Sequence, residues 1–351
     1  MAASNGNAAD AAWMLERLQA LCGHDTTTGR EDNGLPALRS LLTELGADVT
    51  LQQVAPGRHN VFAQWSGAPQ VLLSTHLDTV PPYIPPRTSG DLLHGRGACD
   101  AKGQLVCQLA AILDLVSAGQ TDVAWLGVVG EETDSIGATA AVTHFGDRCR
   151  SVRAVINGEP TDNMLATGQR GALQLRLRVH GVPAHSGTPE LGRSAIWPLM
   201  EWLQRLRTLP ERQDAELGPE IWNLGLLRGG EAPNIVPATA EATLFVRALP
   251  GCDFAVRAQH LAPAHAEVEI VSQTPADRYP EMEGFQHAFV PFGSDAPRLR
   301  HLAQSRTIAL VGPGSIRVAH TADERITGSE LLAGKDLLVR LLHQTLAGAA
   351  P

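Results

Sequence analysis

Cysteine is scarce and follows no useful pattern. The five residues, Cys22, Cys99, Cys107, Cys149 and Cys252, form no Cys-x-x-Cys pair and leave an odd count. A thiolate zinc site and a disulfide framework are therefore not indicated, and the expectation is reduced thiols in a cytoplasmic protein. Basic residues are in deficit too: 28 Lys and Arg against 37 Asp and Glu give a formal charge of −9. Without a Lys/Arg-rich block there is no electrostatic footprint for nucleic acid or an anionic membrane. The most apolar helical stretch, 104–116, is interrupted by Gln108 and Asp114 and is too short to span a bilayer. The opening residues lack the basic and apolar segments of a signal peptide. No Gly-x-Ser-x-Gly elbow and no Gly-x-x-x-x-Gly-Lys phosphate loop occurs. Gly95-Arg-Gly-Ala-Cys-Asp100 approaches a dinucleotide-binding turn but has Asp in place of the third glycine.

What is present reads as an ordinary globular chain, 44% hydrophobic and 19% charged. Its 351 residues are many for one core, so two domains are expected. Helical periodicity covers 9–22 and 34–45. A strand at 71–75 runs into His76, an alanine- and leucine-rich helix spans 102–116, and apolar runs at 123–129 and 153–157 have the look of strands covered on both faces. A short helix is expected over 135–144. Strands alternating with helices imply an α/β layer with a mostly parallel sheet. After Gly171 the pattern changes to strand (172–180), helix (193–206), strands (221–227 and 240–246), helix (254–260) and strand (266–271). That β-α-β-β-α-β order is the split βαβ, ferredoxin-like α+β sandwich. We read 172–275 as an inserted domain, with 1–171 and 276–351 forming one discontinuous catalytic domain. A helix near 295–304, a strand at 307–311 and a helix at 329–344 complete it.

The chemistry-bearing residues fall at strand ends. His76 and Asp78 follow one strand, Glu131 and Glu132 a second, and Glu159 a third, while Asp100 stands in the glycine-rich turn before a helix. Open α/β sheets bind ligands beyond the carboxyl ends of their strands, so these side chains are expected at one edge. Carboxylates and neutral imidazoles suit divalent cations. Two cations close together need a shared carboxylate, and Asp100 is the natural bridge. His76 and Glu159 would complete one set, and Glu132 with a distant histidine the other. His320, in Ala319-His-Thr-Ala-Asp-Glu324, is the best candidate. Asp78 fits behind the ions as a partner of His76. Glu131 is then left to take a proton from the attacking water and return it to the leaving nitrogen. Each residue alone has a dull reading, as a helix cap, a solvated acidic pair or a surface histidine; their convergence outweighs it.

The segments His76-Leu-Asp78, Gly95–Gly103, Gly130-Glu-Glu132, Gly158-Glu-Pro160, Ala184-His-Ser-Gly187, Asn234-Ile-Val-Pro237 and Ala319-His320 occur in this order over nearly the whole chain. Together they resemble the dinuclear zinc aminoacylase and peptidase family (M20-type) of acetylornithine deacetylase, succinyl-diaminopimelate desuccinylase and carboxypeptidase G2. The resemblance implies two zinc ions per subunit, with cobalt a substitute: one on His76, Asp100 and Glu159, the other on Asp100, Glu132 and His320. It also implies Glu131 as general acid/base, a cis peptide after Asp100, and a smaller domain that acts as lid and dimerises. His185 would steady the oxyanion, in its own subunit's site or in a partner's. Asn234 and Arg247 would bind polar groups of the substrate, Arg247 its α-carboxylate, and Ser294 would lie near the substrate. The expected activity is hydrolysis of an N-acyl-L-amino acid in amino-acid biosynthesis, with N-acetylornithine (arginine biosynthesis) first. Succinyl-diaminopimelate, acetyl-lysine or acetyl-citrulline are its relatives. A dipeptidase or carboxypeptidase, or a non-catalytic binding protein of the same fold, are the other readings.

Overall fold

The computed structural model describes residues 9–348. Two compact units emerge. The larger takes the chain up to Thr167, Tyr279–Ala288 and everything from Ser294 onward; the smaller takes Gly168–Arg278 and Phe289–Gly293. These limits lie outside the 172 and 275 read from the sequence, and the short 289–293 segment returning to the smaller unit had no signal there.

In the larger unit helices α1 (Ala11–Cys22) and α2 (Leu35–Glu44) precede a hairpin of β1 (Asp48–Ala55) and β2 (Arg58–Gln64). Strand β3 (Val71–His76), helix α3 (Lys102–Ser117), strand β4 (Val123–Val128), helix α4 (Ile136–Phe145) and strand β5 (Ala154–Asn157) follow. The six-stranded sheet runs β1-β2-β4-β3-β5 and then the late strand Thr307–Leu310. Pairing is parallel from β4 to the late strand and antiparallel only at the hairpin edge. The 48–64 hairpin was not anticipated. Its signal is the Pro56-Gly57 turn, where Gly57 takes φ 72°, a left-handed conformation that glycine adopts without strain.

Every residue of β3, β4 and β5 is buried, as a parallel strand covered on both faces requires. Helix α3 is buried nearly all round, because α1 and the last helix, Gly328–Leu346, pack against it on the side away from the sheet. Its two interior glutamines have partners, Gln104 through its amide nitrogen alone, since its Oε1 accepts no bond. Gln108 donates to Ser74 O at 2.8 Å and accepts from Trp125 Nε1 at 2.9 Å; Gln104 donates to Cys99 O and Pro313 O. A buried amide left without partners would cost about 1–3 kcal/mol, so these bonds explain how a helix with polar residues can lie in a core. The helix expected near 295–304 is short, Ala296–Leu299 followed by a 3-10 turn over Arg300–Leu302.

The smaller unit contains strand Gly171–His180, helix Ile196–Leu206, strands Ile221–Gly229 and Thr239–Ala248, helix Phe254–His260 and strand Ala266–Thr274. Numbered one to four, these strands lie antiparallel in the order two-three-one-four, the ferredoxin-like arrangement. Strict alternation puts Leu173, Leu175, Leu177 and Val179 on the helix-covered face, where they cluster with Leu199, Trp202, Leu206 and Phe254. Trp202 is fully buried and its Nε1 donates to Ala258 O at 3.0 Å, tying one helix to the other. Trp202→Ala is expected to cost this unit about 3–5 kcal/mol, read by urea unfolding; a loss under about 1 kcal/mol would mean that the indole does not carry this core.

Candidate metal centre

Three parallel strands end at the same sheet edge and each delivers acid or imidazole into it. His76 pairs with Val128 and Ser74 with Asn157 across the ladder, so the segments that follow emerge side by side. Gly130 turns the chain after β4 with φ 81°, and its carbonyl collects the N–H groups of Asp134 and Ser135, so Glu131 and Glu132 are presented on a tight turn. Gly158 N donates to Ser74 O at 2.7 Å and fixes where Glu159 leaves the sheet. Asp100 ends the Gly95–Asp100 turn, and the Asp100–Ala101 peptide is cis.

The side chains form two triads that share one carboxylate. Ligand atoms of His76, Asp100 and Glu159 lie within 4.8 Å of one another, as do those of Asp100, Glu132 and His320. His76 Nε2 is 2.9 Å from Asp100 Oδ1; His320 Nε2 is 3.3 Å from Asp100 Oδ2 and 3.1 Å from Glu132 Oε1. Each Asp100 oxygen thus faces a different histidine. His320 reaches this position with φ 63°, a left-handed conformation that costs about 1–3 kcal/mol for a residue with a Cβ and persists only where its surroundings impose it.

The electrostatics favour cations here. Burial pushes the Glu131, Glu132 and Glu159 carboxyls above the usual carboxylate range, and neighbouring acids push them further: Glu159 for Glu131, and Asp100 for the other two. Burial would raise Asp100 as well, but hydrogen bonds from His320 and His76 hold it below the usual range. The same bonds, with Asp100 first and Glu132 second, lift His320 to about 10. Burial opposes a charge on His76, yet contacts with Asp100 and Asp78 leave it raised. Proton affinity is thus raised on both imidazoles and three of the carboxyls, as expected where buried acids lack a positive partner. The donor set, two imidazoles and three carboxylates in overlapping triads, fits a pair of divalent cations.

Asp78, fully buried, does more than face His76. Its carboxylate accepts from the backbone N–H groups of Gly130, Glu131 and Glu132 at 3.0, 3.1 and 3.2 Å, and from Thr28 Oγ1 at 2.8 Å. His76 Nδ1 lies 2.9 Å from the Asp78 backbone oxygen and 3.6 Å from its carboxylate. The orienting bond to His76 therefore comes from the Asp78 main chain, and the carboxylate anchors the acidic turn. Nearby, Ser294 is buried and its hydroxyl accepts from Ala296 N; the adjoining Asp295 is lifted by burial to about 6.

His185, Asn234 and Arg247 belong to the smaller unit. Within it, His185 bridges to Ile235 and Ser186 N donates to Asn234 O at 3.0 Å, so the two loop segments run side by side. His185 Nδ1 accepts from Gly187 N at 3.0 Å, which puts the neutral ring's proton on Nε2, an exposed donor. Arg247 projects from the face of its strand opposite the core, its guanidinium 4.8 Å from the Phe245 ring centre. Sequence reasoning gave no role to Glu324 or Arg96, both buried beside Asp100; the signal for Glu324 was its place four residues after His320.

Residues 72–344 match the model of peptidase family M20/M25/M40. The chain belongs to that family. It is 33% identical over 344 residues to a peptidase M20 domain-containing protein of Schizosaccharomyces pombe, with 95% of this chain and 85% of the relative covered. It is 34% identical to a probable carboxypeptidase of Uncinocarpus reesii, over 80% of this chain and 72% of the relative. In fold it resembles other M20 proteins and peptidases. Aminopeptidase PepT of Bacillus cereus superposes with a TM-score of 0.76 at 20% identity, covering 96% of this chain and 99% of that one. The M20 metallo-carboxypeptidase Sso-CP2 of Sulfolobus solfataricus gives 0.73 at 17%, covering 94% and 98%.

If the two triads take divalent cations, loading at neutral pH should release protons, since His320, lifted to about 10, would have to shed one to ligate. Calorimetry in two buffers of different ionisation enthalpy reads the number; no release, or an uptake, would contradict these assignments.

Proposed function

We propose that this M20 protein is a hydrolase that uses two divalent cations, zinc in the first instance, to cleave the amide bond of a small peptide or N-acyl amino acid. The observation that carries the reading is the shared carboxylate: each oxygen of Asp100 faces a separate histidine, one in each triad. His76, Asp100 and Glu159 would hold one ion, and Asp100, Glu132 and His320 the other. Bound there, the pair would supply Lewis acidity toward the amide carbonyl and toward water at neutral pH.

The chain's own groups do the rest. Glu131 belongs to neither triad, and burial together with Glu159 raises its affinity for a proton. That suits it to accept a proton from water and pass it to the departing nitrogen. His185, with Nε2–H outward, is the proposed donor to the developing oxyanion, in its own or a partner's site. Arg247 is the proposed anchor for a substrate carboxylate, with Asn234 and Ser294 as further polar contacts.

Two substrate readings compete. The name of the Uncinocarpus relative favours a free carboxy-terminal residue on a short peptide. The order of motifs favours an acetylated amino acid such as N-acetylornithine. A panel of N-acetyl amino acids and dipeptides, assayed with zinc and with cobalt, separates them. Glu131→Gln is expected to keep both ions and lose about 10²–10⁴-fold in kcat; near-full turnover with both ions bound would overturn the role given to Glu131.

The smaller unit also supports a homodimer. Its strand Ile221–Gly229 is at the sheet edge and exposes Leu226 and Leu227, each 54% accessible, while Trp197 on the neighbouring helix is 66% accessible. An unpaired, apolar edge invites strand addition by a second copy. Sedimentation should show a dimer that Leu227→Glu weakens; a monomer at micromolar concentration would refute it.

A further inference from the structure

The ligands of the two triads are not held in the same way. His76 and Glu159 lie at or just beyond the ends of hydrogen-bonded strands, so the ladder fixes where they emerge, and the turn that carries Glu132 is held by Asp78, which follows one of those strands. Asp100 and His320 lie on turns outside any strand. Yet Asp100 must be placed to serve two triads, and His320 closes one of them. Something other than the sheet has to set the distance between these turns.

Glu324 is the side chain that joins them. It is fully buried, four residues after His320 in the same loop. Its Oε1 accepts three backbone N–H bonds from the Asp100 turn: Gly97 at 3.0 Å, Cys99 at 3.1 Å and Asp100 itself at 3.1 Å. Its Oε2 accepts from Arg96 at 2.5 Å, and its backbone carbonyl accepts from Gly95 N at 3.0 Å. Arg96 in turn donates to Pro82 O. The Gly95–Asp100 turn is thus wrapped around one carboxylate that belongs to the His320 loop. Just after it, Arg325–Thr327 pairs with Leu92–His94, which fixes Glu324 from the far side. Charged acceptors on backbone N–H groups make strong, directional bonds, and three on one oxygen leave the turn little freedom.

We propose that Glu324 is a positioning residue: it sets the separation of Asp100 and His320 and thereby the affinity of the triad they form with Glu132. The inference rests on the two-cation reading above. Outer groups that orient ligands typically change metal affinity by about 10–100-fold when removed. In Glu324→Gln the amide cannot serve both Arg96 and three N–H donors with acceptor oxygens, so the turn loosens while side-chain volume is kept.

The test is titration of metal-free protein with zinc against a chromophoric chelator, alongside thermal unfolding. The wild type is expected to take two ions. E324Q is expected to weaken the ion of Asp100, Glu132 and His320 by about 10–100-fold and the ion of His76, Asp100 and Glu159 by distinctly less, because only the first depends on both turns, with kcat recovering as zinc is raised. Trp202→Ala in the other unit serves as the stability control: it should lower the melting temperature and leave both affinities in place. Folded E324Q with two wild-type affinities, or two affinities weakened equally, would overturn the proposal. Should E324Q not fold, Glu324→Asp keeps the charge against Arg96, withdraws the carboxylate by one methylene, and decides by the same outcomes. A wild type that takes fewer than two ions would instead sink the two-cation reading.

Discussion

The arrangement depends on a repulsion that the fold alone does not relieve. Asp78, Asp100, Glu131, Glu132, Glu159 and Asp295 crowd one edge of the sheet, most of them buried, with two imidazoles among them. Buried carboxylates of like charge cannot all ionise, and in isolation they bind protons instead. Folding a chain around such a cluster costs stability unless something positive enters. A pair of divalent ions would restore the balance and let the acids ionise together. Stability and chemistry at this site are then one requirement, met by the same residues.

Holding that cluster requires more backbone control than strands provide. Two buried carboxylates supply it in the same manner. Asp78 gathers the N–H groups of Gly130, Glu131 and Glu132, and Glu324 gathers those of Gly97, Cys99 and Asp100. Each converts a glycine-containing turn, flexible in itself, into a rigid bracket around an anion. Each also spans sequence: 52 residues separate Asp78 from Gly130, and 227 separate Glu324 from Gly97. The site is closed by side chain to main chain bonds across the fold, and its geometry is inherited from packing throughout the larger unit.

Much of this could be read beforehand, for identifiable reasons. Continuous apolar runs mark β3, β4 and β5, and their ends nominate His76, Glu132 and Glu159, while Asp100 is nominated by its glycine-rich turn and His320 as a distant histidine after the Gly312-Pro-Gly314 loop. The 48–64 hairpin escaped because its strands mix polar residues such as Gln52, Gln53 and His59 into the alternation, and burial of Asn60 and Gln52 relies on partners distant in sequence. Glu324 escaped for a related reason. Three of its partners are main-chain N–H groups, which no residue type in the sequence marks, and its one side-chain partner, Arg96, lies 228 residues earlier. Asp78 was assigned to His76 by proximity in sequence, whereas its carboxylate is mainly spent on a turn that begins 52 residues later.

Substrate choice lies on a different level from the metal centre. The same fold, at 20% identity or less, appears in an aminopeptidase and in a metallo-carboxypeptidase, so architecture does not select between the ends of a peptide. Discrimination has to come from groups that meet the substrate away from the scissile bond, and of the proposed candidates Asn234 and Arg247 belong to the smaller unit and Ser294 to the larger. A guanidinium such as that of Arg247 can recognise a carboxylate by two parallel bonds, which is the basis of the anchor role proposed for it. Removing such an anchor should therefore raise KM for carboxylate-bearing substrates and narrow their advantage over amidated analogues, while leaving the cation affinities where Asp100 and its partners set them. On the proposed reading binding and chemistry would be separable, because the acids and imidazoles are fixed by the core of the larger unit while Asn234 and Arg247 are carried by a unit with a core of its own.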